Sequence, residues 1–297
     1  MKRFFTVVVI ICLSLVLWGC SSEGYSGKPK IYASFYPMYF LTQQIAGDKA
    51  EVICMIPAGV EPHDWEPTPK LVGEMQEASM FVYNGVGMET WANNIIKNID
   101  RDKTKIVEAS SGVELLKAEG QQNIYDPHVW VSPLRAMQQA KTIYEAIIQT
   151  DPANAEYYRS NYESLKQRLS KLDKDIREAS KSFRSNIIVV SHEAFGYFAQ
   201  DYGLKQIAIR GVNPEAEPSP TQMAELVNIC KENKVRYVFF EKLTNPKLSE
   251  TLAREVDAGT MILNDAAGLS EEDEKAGMDY VSIMYQNVEN LKKALSE

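Results

Sequence analysis

The chain has 297 residues, 45% of them hydrophobic and 24% charged, with 32 basic against 40 acidic residues and a formal charge of −8. That length accommodates one large or two modest domains, and the composition is that of an ordinary soluble globular protein. The acids are spread along the chain and no strongly basic stripe is present, which argues against nucleic acid as a partner.

Lys2 and Arg3 precede an uncharged, mostly apolar run from Phe4 to Trp18. This run is shorter than the roughly 20 residues a membrane-spanning helix needs. Residues 1–19 therefore read as a signal peptide. The run ends in Leu17-Trp18-Gly19-Cys20, which resembles a bacterial lipobox with Cys20 as the lipid-anchor residue; Trp18 stands where that pattern has a small residue. Residues 20–29 are polar and rich in Ser and Gly, the composition of a flexible tether.

Strands are predicted at Ile31–Ser34, Glu51–Ile56, Met80–Tyr83 and Lys105–Glu108, with helices at Pro37–Ala46, Thr68–Ala78, Met88–Asn98 and Pro133–Ile148. Such alternation builds a parallel sheet from βα units, here a first lobe over 30–150. Asp151 and Pro152 suit the N-cap and first position of a helix. From Ala155 to Phe183 apolar residues recur at alternating spacings of 3 and 4, so 151–184 is predicted as a single helix of about 32 residues, roughly 48 Å long. A helix laid along two lobes and a coiled-coil dimer would use the same stripe. A second lobe over 185–297 has predicted strands at Ile187–Ser191, Lys205–Ile209, Tyr237–Phe240 and Thr260–Leu263. Its predicted helices are Ala194–Tyr202, Thr221–Glu232, Pro246–Asp257 and Lys275–Leu295. The predicted fold class is α/β, two lobes with parallel sheets joined by one long rigid helix.

Of the four cysteines, Cys12 and Cys20 lie in the signal and anchor segment. Cys54 and Cys230 sit in apolar patterns and read as small buried hydrophobes. The three histidines are more informative. His63 follows the strand at 51–56, His128 precedes the helix at 133–148, and His192 directly follows the strand at 187–191. Open α/β sheets bind ligands at the carboxyl ends of their strands, so the three imidazoles are expected on one functional edge, two from the first lobe and one from the second. Neutral imidazole suits zinc, and three nitrogens plus one further donor complete a tetrahedral site. Asp265, after the strand at 260–263, fits as that donor. Trp65 and Trp130, each two residues after a histidine, read as aromatic packing or as an apolar shell around the ion, with Glu61 a further neighbour.

The motifs resemble those of the metal-binding subunits of bacterial zinc and manganese ABC importers, the cluster A-I or ZnuA-like solute-binding proteins. They are Pro57-Ala58-Gly59-Val60-Glu61-Pro62-His63-Asp64-Trp65-Glu66-Pro67, Asp126-Pro127-His128-Val129-Trp130, Ser191-His192-Glu193-Ala194-Phe195-Gly196-Tyr197-Phe198, Glu215-Ala216-Glu217-Pro218-Ser219-Pro220 and Phe240-Glu241. The resemblance runs from about Lys30 to the end. It implies two α/β lobes bridged by one helix, a site at His63, His128, His192 and Asp265, a permease and an ATPase as partners, and a monomer held at the outer face of the cell membrane. Ser132 replaces the Asp usual in the second motif, and some zinc members carry a Glu where this chain has Ala267. The segment Glu114 to Tyr125 is short and lacks the His-rich loop of many zinc members. Manganese members have Glu at the position of His192, so imidazole there favours zinc over manganese. From other classes, a zinc-dependent hydrolase with Glu61 or Glu193 as base would need an open coordination position, and no His-Glu-x-x-His motif is present. A surface adhesin is the remaining alternative.

Overall fold

The computed structural model describes residues 27–118, 123–214 and 216–296. The signal peptide, Cys20, most of the tether and Glu215 lie outside the described residues. Strands β1 (Lys30–Ala33), β2 (Glu51–Cys54), β3 (Met80–Tyr83) and β4 (Lys105–Glu108) form a parallel sheet in the order β2-β1-β3-β4. Strands β5 (Ile187–His192), β6 (Lys205–Arg210), β7 (Tyr237–Phe240) and β8 (Gly259–Ile262) repeat that topology as β6-β5-β7-β8, again all parallel. Apolar runs in the central strands fit sheets covered on both faces. Strand order reverses between β1 and β3 and between β5 and β7, so each lobe has a switch point where a crevice opens at the strands' carboxyl ends.

The helices are α1 (Tyr36–Ala46), α2 (Pro69–Met75), α3 (Ala92–Ile96), α4 (Pro133–Thr150), α5 (Ala155–Ser180), α6 (Gly196–Tyr202), α7 (Pro220–Glu232), α8 (Lys247–Glu255), α9 (Glu271–Lys275) and α10 (Tyr280–Leu295). Most depart from their predicted bounds by one to a few residues, the predicted 88–98 helix being reduced to Ala92–Ile96, and three departures have clear local reasons. Helix α2 starts one residue late because the Thr68 hydroxyl caps it, accepting the Leu71 N–H. The bridging helix α5 has 26 residues, shorter than the predicted 151–184. A 3-10 turn at Pro152–Asn154 precedes it, and the Asp151 carboxylate accepts from the Tyr158 hydroxyl and the Asn154 amide instead of capping the helix backbone. At its other end Ser180 and Ser182 donate to the carbonyls of Arg177 and Ala179, and the chain turns before Phe183. The predicted helix Lys275–Leu295 is divided: Gly277 takes a left-handed φ of +67°, and Asp279 opens α10 with a reciprocal capping box to Ser282.

Tyr158, Leu165, Leu169, Leu172, Ile176 and Ala179 of α5 are all buried against α1, α4 and α10. The stripe is thus consumed within the chain and is not available for a coiled-coil dimer. Each fully buried leucine contributes about 1.5–3 kcal/mol. These residues belong to one core cluster that also includes Ala33, Leu41 and Val82 of the first lobe and Val190, Leu263 and Met284 of the second. Cys230 is buried and free, as expected; Cys54 is free but only half-buried, because β2 is an edge strand.

Candidate metal centre

His63 lies in a one-turn 3-10 helix, Pro62–Asp64, whose N-cap Glu61 accepts the His63 backbone N–H at 3.2 Å. His128 immediately precedes a second such turn, Val129–Val131, and is fully buried. His192 is the last residue of β5, the switch-point strand of the second lobe. The His128 Nε2 atom lies 3.2 Å from the Nε2 atoms of both His63 and His192. The ligating atoms of all three lie within 4.8 Å of one another. With Zn–N bonds of 2.0–2.1 Å, a tetrahedral site has nitrogen–nitrogen edges of about 3.3 Å. The triad is therefore positioned to hold a metal ion.

Each of the two buried imidazoles has a carboxylate behind it. His128 Nδ1 is 2.8 Å from Asp126 Oδ1, and the same oxygen accepts the His128 backbone N–H at 2.9 Å. His192 Nδ1 is 3.0 Å from Glu241 Oε1, close enough for charge pairing though not aligned as a linear hydrogen bond. The pairing follows from sheet register: Val189 is opposite Val238, and three residues further on His192 meets Glu241. Glu241 Oε2 accepts from the hydroxyls of Ser191 and Thr244. Carboxylates in this position orient an imidazole and leave its other nitrogen free for metal.

The electrostatics differ around the triad. Burial, then the neighbouring imidazoles, push His63 down to about 2, and burial, then His192, hold His128 well below the usual imidazole range. Burial also opposes a charge on His192, but Glu241, then Asp265 and Glu61, outweigh it and push the group up to about 9. Burial raises Glu61 and Asp126 to about 7 each. Asp265 rises to about 6 through burial and then Glu241, with His192 opposing.

The sequence profile of the zinc-uptake complex component A periplasmic family, ZnuA, matches residues 31–294. The chain belongs to the ZnuA family. It is 37% identical to the high-affinity zinc uptake system protein ZnuA of Bacillus subtilis, over 99% of this chain and 98% of that one. It is also 37% identical to the zinc-binding lipoprotein AdcA of Streptococcus pneumoniae, over 100% of this chain but only 62% of AdcA, so it spans less than two thirds of that relative. Among solved structures, the Zn(II)-bound ZnuA-like domain of S. pneumoniae AdcA superposes with a TM-score of 0.81 at 39% identity, covering 91% of this chain and all of that one. A laminin-binding adhesin, Lmb, of Streptococcus agalactiae gives 0.83 at 31% identity over 91% of this chain and all of that one.

Within this ZnuA-family fold, Asp265 is buried and its Oδ1 accepts the Ala267 N–H at 3.1 Å. Among the described residues, the group of ligating atoms within 4.8 Å consists of the three histidines, without the Asp265 carboxylate. Trp130 packs 5.3 Å from the His128 ring, and its Nε1–H donates to the Asp265 carbonyl at 2.8 Å, tying one lobe to the other. Trp65 packs edge-on against Trp91 at 5.6 Å. Ser132, where an Asp was expected, donates at 2.7 Å to Asp201 of the second lobe, which also receives two bonds from Arg135. Sequence reasoning gave no role to Asp126 or Glu241. Asp126 had a local signal, a carboxylate two residues before a histidine. Glu241 stood out only as part of the Phe240-Glu241 motif, and its relation to His192 exists only across the sheet.

Proposed function

We propose that the chain is the extracytoplasmic zinc-binding subunit of an ABC importer, capturing Zn2+ between its two lobes and delivering it to a membrane permease driven by an ATPase. The observation that carries this reading is the convergence of three imidazoles from two lobes, with the His128 Nε2 atom 3.2 Å from those of His63 and His192 and all ligating atoms within 4.8 Å. Nitrogen donors favour zinc over the harder manganese ion. Asp265 is the fourth ligand in this reading; its burial and its electrostatic coupling to His192 and Glu241 support the assignment. Glu61 and Trp130 surround the ion, and Trp65 supports the His63 loop from behind. Cys20 carries the lipid that holds the monomer at the outer face of the membrane, with residues 20–29 as tether, 30–150 and 185–297 as lobes and 151–184 as linker. Four protein ligands close the coordination sphere, so no water is activated and the chain is a carrier, not an enzyme.

His192→Glu tests the choice of metal. The expected outcome is weaker zinc binding and a shift of preference towards manganese, read by competition titration with each ion. Unchanged selectivity would remove the argument from position 192. Asp265→Ala is expected to weaken zinc by at least tenfold, and no loss would assign the fourth position to another donor.

A further inference from the structure

Asn84, the residue directly after strand β3, is fully buried, and the chain then passes through Gly85, Val86 and Gly87 with φ of +85°, +57° and +85°. A left-handed β-branched residue such as Val86 is strained. Such strain persists only where the surroundings over-determine it, and it clusters at functional sites. Here the surroundings are a buried carboxylate. Glu89 accepts the Asn84 N–H at 2.8 Å, the Gly85 N–H at 3.1 Å and the Ser34 hydroxyl at 2.6 Å. The φ of +85° favours glycine at position 85, and a Cβ there would also displace the Glu108 side chain.

The turn aims one amide. Asn84 Nδ2 donates to the carbonyls of Gly85 and Pro127, both at 2.9 Å. Its Oδ1 accepts from Gln139 Nε2 at 2.7 Å and from the Ser110 hydroxyl at 3.1 Å. The whole hydrogen-bonding capacity of the side chain is used. Gln139 and Ser110 lie on the acceptor side, which turns the NH2 towards Pro127. The Pro127 carbonyl belongs to the peptide that joins Pro127 to His128. None of these groups touches the imidazoles.

We infer that Asn84 is a positioning residue for the metal: by holding the Pro127 carbonyl it sets where the His128 imidazole stands relative to those of His63 and His192. This rests on the zinc-binding reading above. Loss of an outer hydrogen bond of this kind lowers metal affinity by about 10–100-fold. Three variants of the full-length protein, purified in detergent, test it: Asn84→Ala, Asn84→Asp and Gln139→Met. Zinc affinity is measured against a chelator, and Co2+ serves as a spectroscopic probe of ligand geometry. Both Asn84 variants are expected to lose about 10–100-fold in zinc affinity and to change the Co2+ ligand-field bands, because Asp keeps the shape but not the donor. Gln139→Met, which leaves Asn84 in place but frees its amide to rotate, is expected to move both readouts the same way by less. In a His128→Ala background, Asn84→Ala is expected to change affinity less than twofold. Wild-type-like affinity and spectra in Gln139→Met and in whichever Asn84 variant folds would overturn the inference. So would an equal loss in the His128→Ala background, which would make the network generic scaffold. If the wild-type protein itself bound no zinc, the zinc-binding reading would fall and this inference with it, a result distinct from tight binding by every variant.

Discussion

His128 and His192 are both buried imidazoles, yet their surroundings push their proton affinities in opposite directions. His128 is held low by burial and by its neighbour, while Glu241, Asp265 and Glu61 lift His192 to about 9 in spite of burial. In the metal-free protein His192 is therefore expected to carry a proton at neutral pH, which zinc would displace in the proposed site. For a group whose folded pKa is raised, the charged form and the stability it contributes are fully present below the ordinary value of 6.5 and are lost as pH rises through about 9. Zinc competes with that proton, so affinity is expected to rise with pH across the window from about 7 to about 9. Calorimetry in buffers of different ionisation enthalpy should show at least about one proton released per zinc at pH 7; no proton release would contradict the His192–Glu241 pairing. Trp130 supplies a second readout, because its ring lies beside His128 while its N–H is fixed to the second lobe. Zinc is expected to change the intrinsic fluorescence, and Trp130→Phe to remove most of that change. The three histidines of the triad were legible in the sequence because they follow strand ends or adjoin Pro and carboxylate residues. Asp126 was half-legible, and Glu241 and Asn84 were not, since their partners lie 49 and 43 positions away and meet them only after the sheets form.

At the scale of elements, the start of α10 and the middle of α5 carry separate loads. Asp279 caps α10 and pairs with Arg168 of α5 at 2.5 Å. Burial raises its carboxyl, but the Ser282 N–H and Arg168 outweigh this and hold it below the ordinary value of 3.8. Its contribution to stability is therefore present above that value and lost as pH falls through the lower folded one. Asp279→Ala is expected to cost about 1 kcal/mol at pH 7 through the lost cap, measured by urea unfolding, and the penalty should shrink as the pH falls below about 3.8. Leu172→Ala empties a fully buried position on α5, with an expected loss of about 2–5 kcal/mol. The regular 3–4 spacing made α5 readable, whereas its ends were not. Asp151 has the composition of a cap but spends its carboxylate on Tyr158, and the serines at 180 and 182 take up the last carbonyls. Gly277 carried the signal that divides the final helix, since a left-handed φ ends a helix there.

The described residues form two sheets, and the largest core cluster spans both lobes because α5 buries its stripe against elements of each; smaller separate clusters lie within the individual lobes. Trp130 to Asp265, Tyr280 to Trp130, Arg135 to Asp201 and Gly59 to Leu269 add bonds across the cleft. Thermal unfolding is accordingly expected to be a single cooperative transition with matching calorimetric and van't Hoff enthalpies; two separate transitions would show that the lobes are energetically independent. The same bonds lead to the expectation that zinc binding involves little rotation of one lobe against the other. The most direct measurement is a chelator-competition titration of the metal-free protein with zinc and with manganese, repeated after His63, His128 and His192 are replaced by Ala. The expected result is one zinc per chain, bound far more tightly than manganese, with a dissociation constant on the order of nanomolar or below, and no tight site in the triple variant. Zinc binding no tighter than about micromolar, a preference for manganese, or an unchanged site in the triple variant would contradict it.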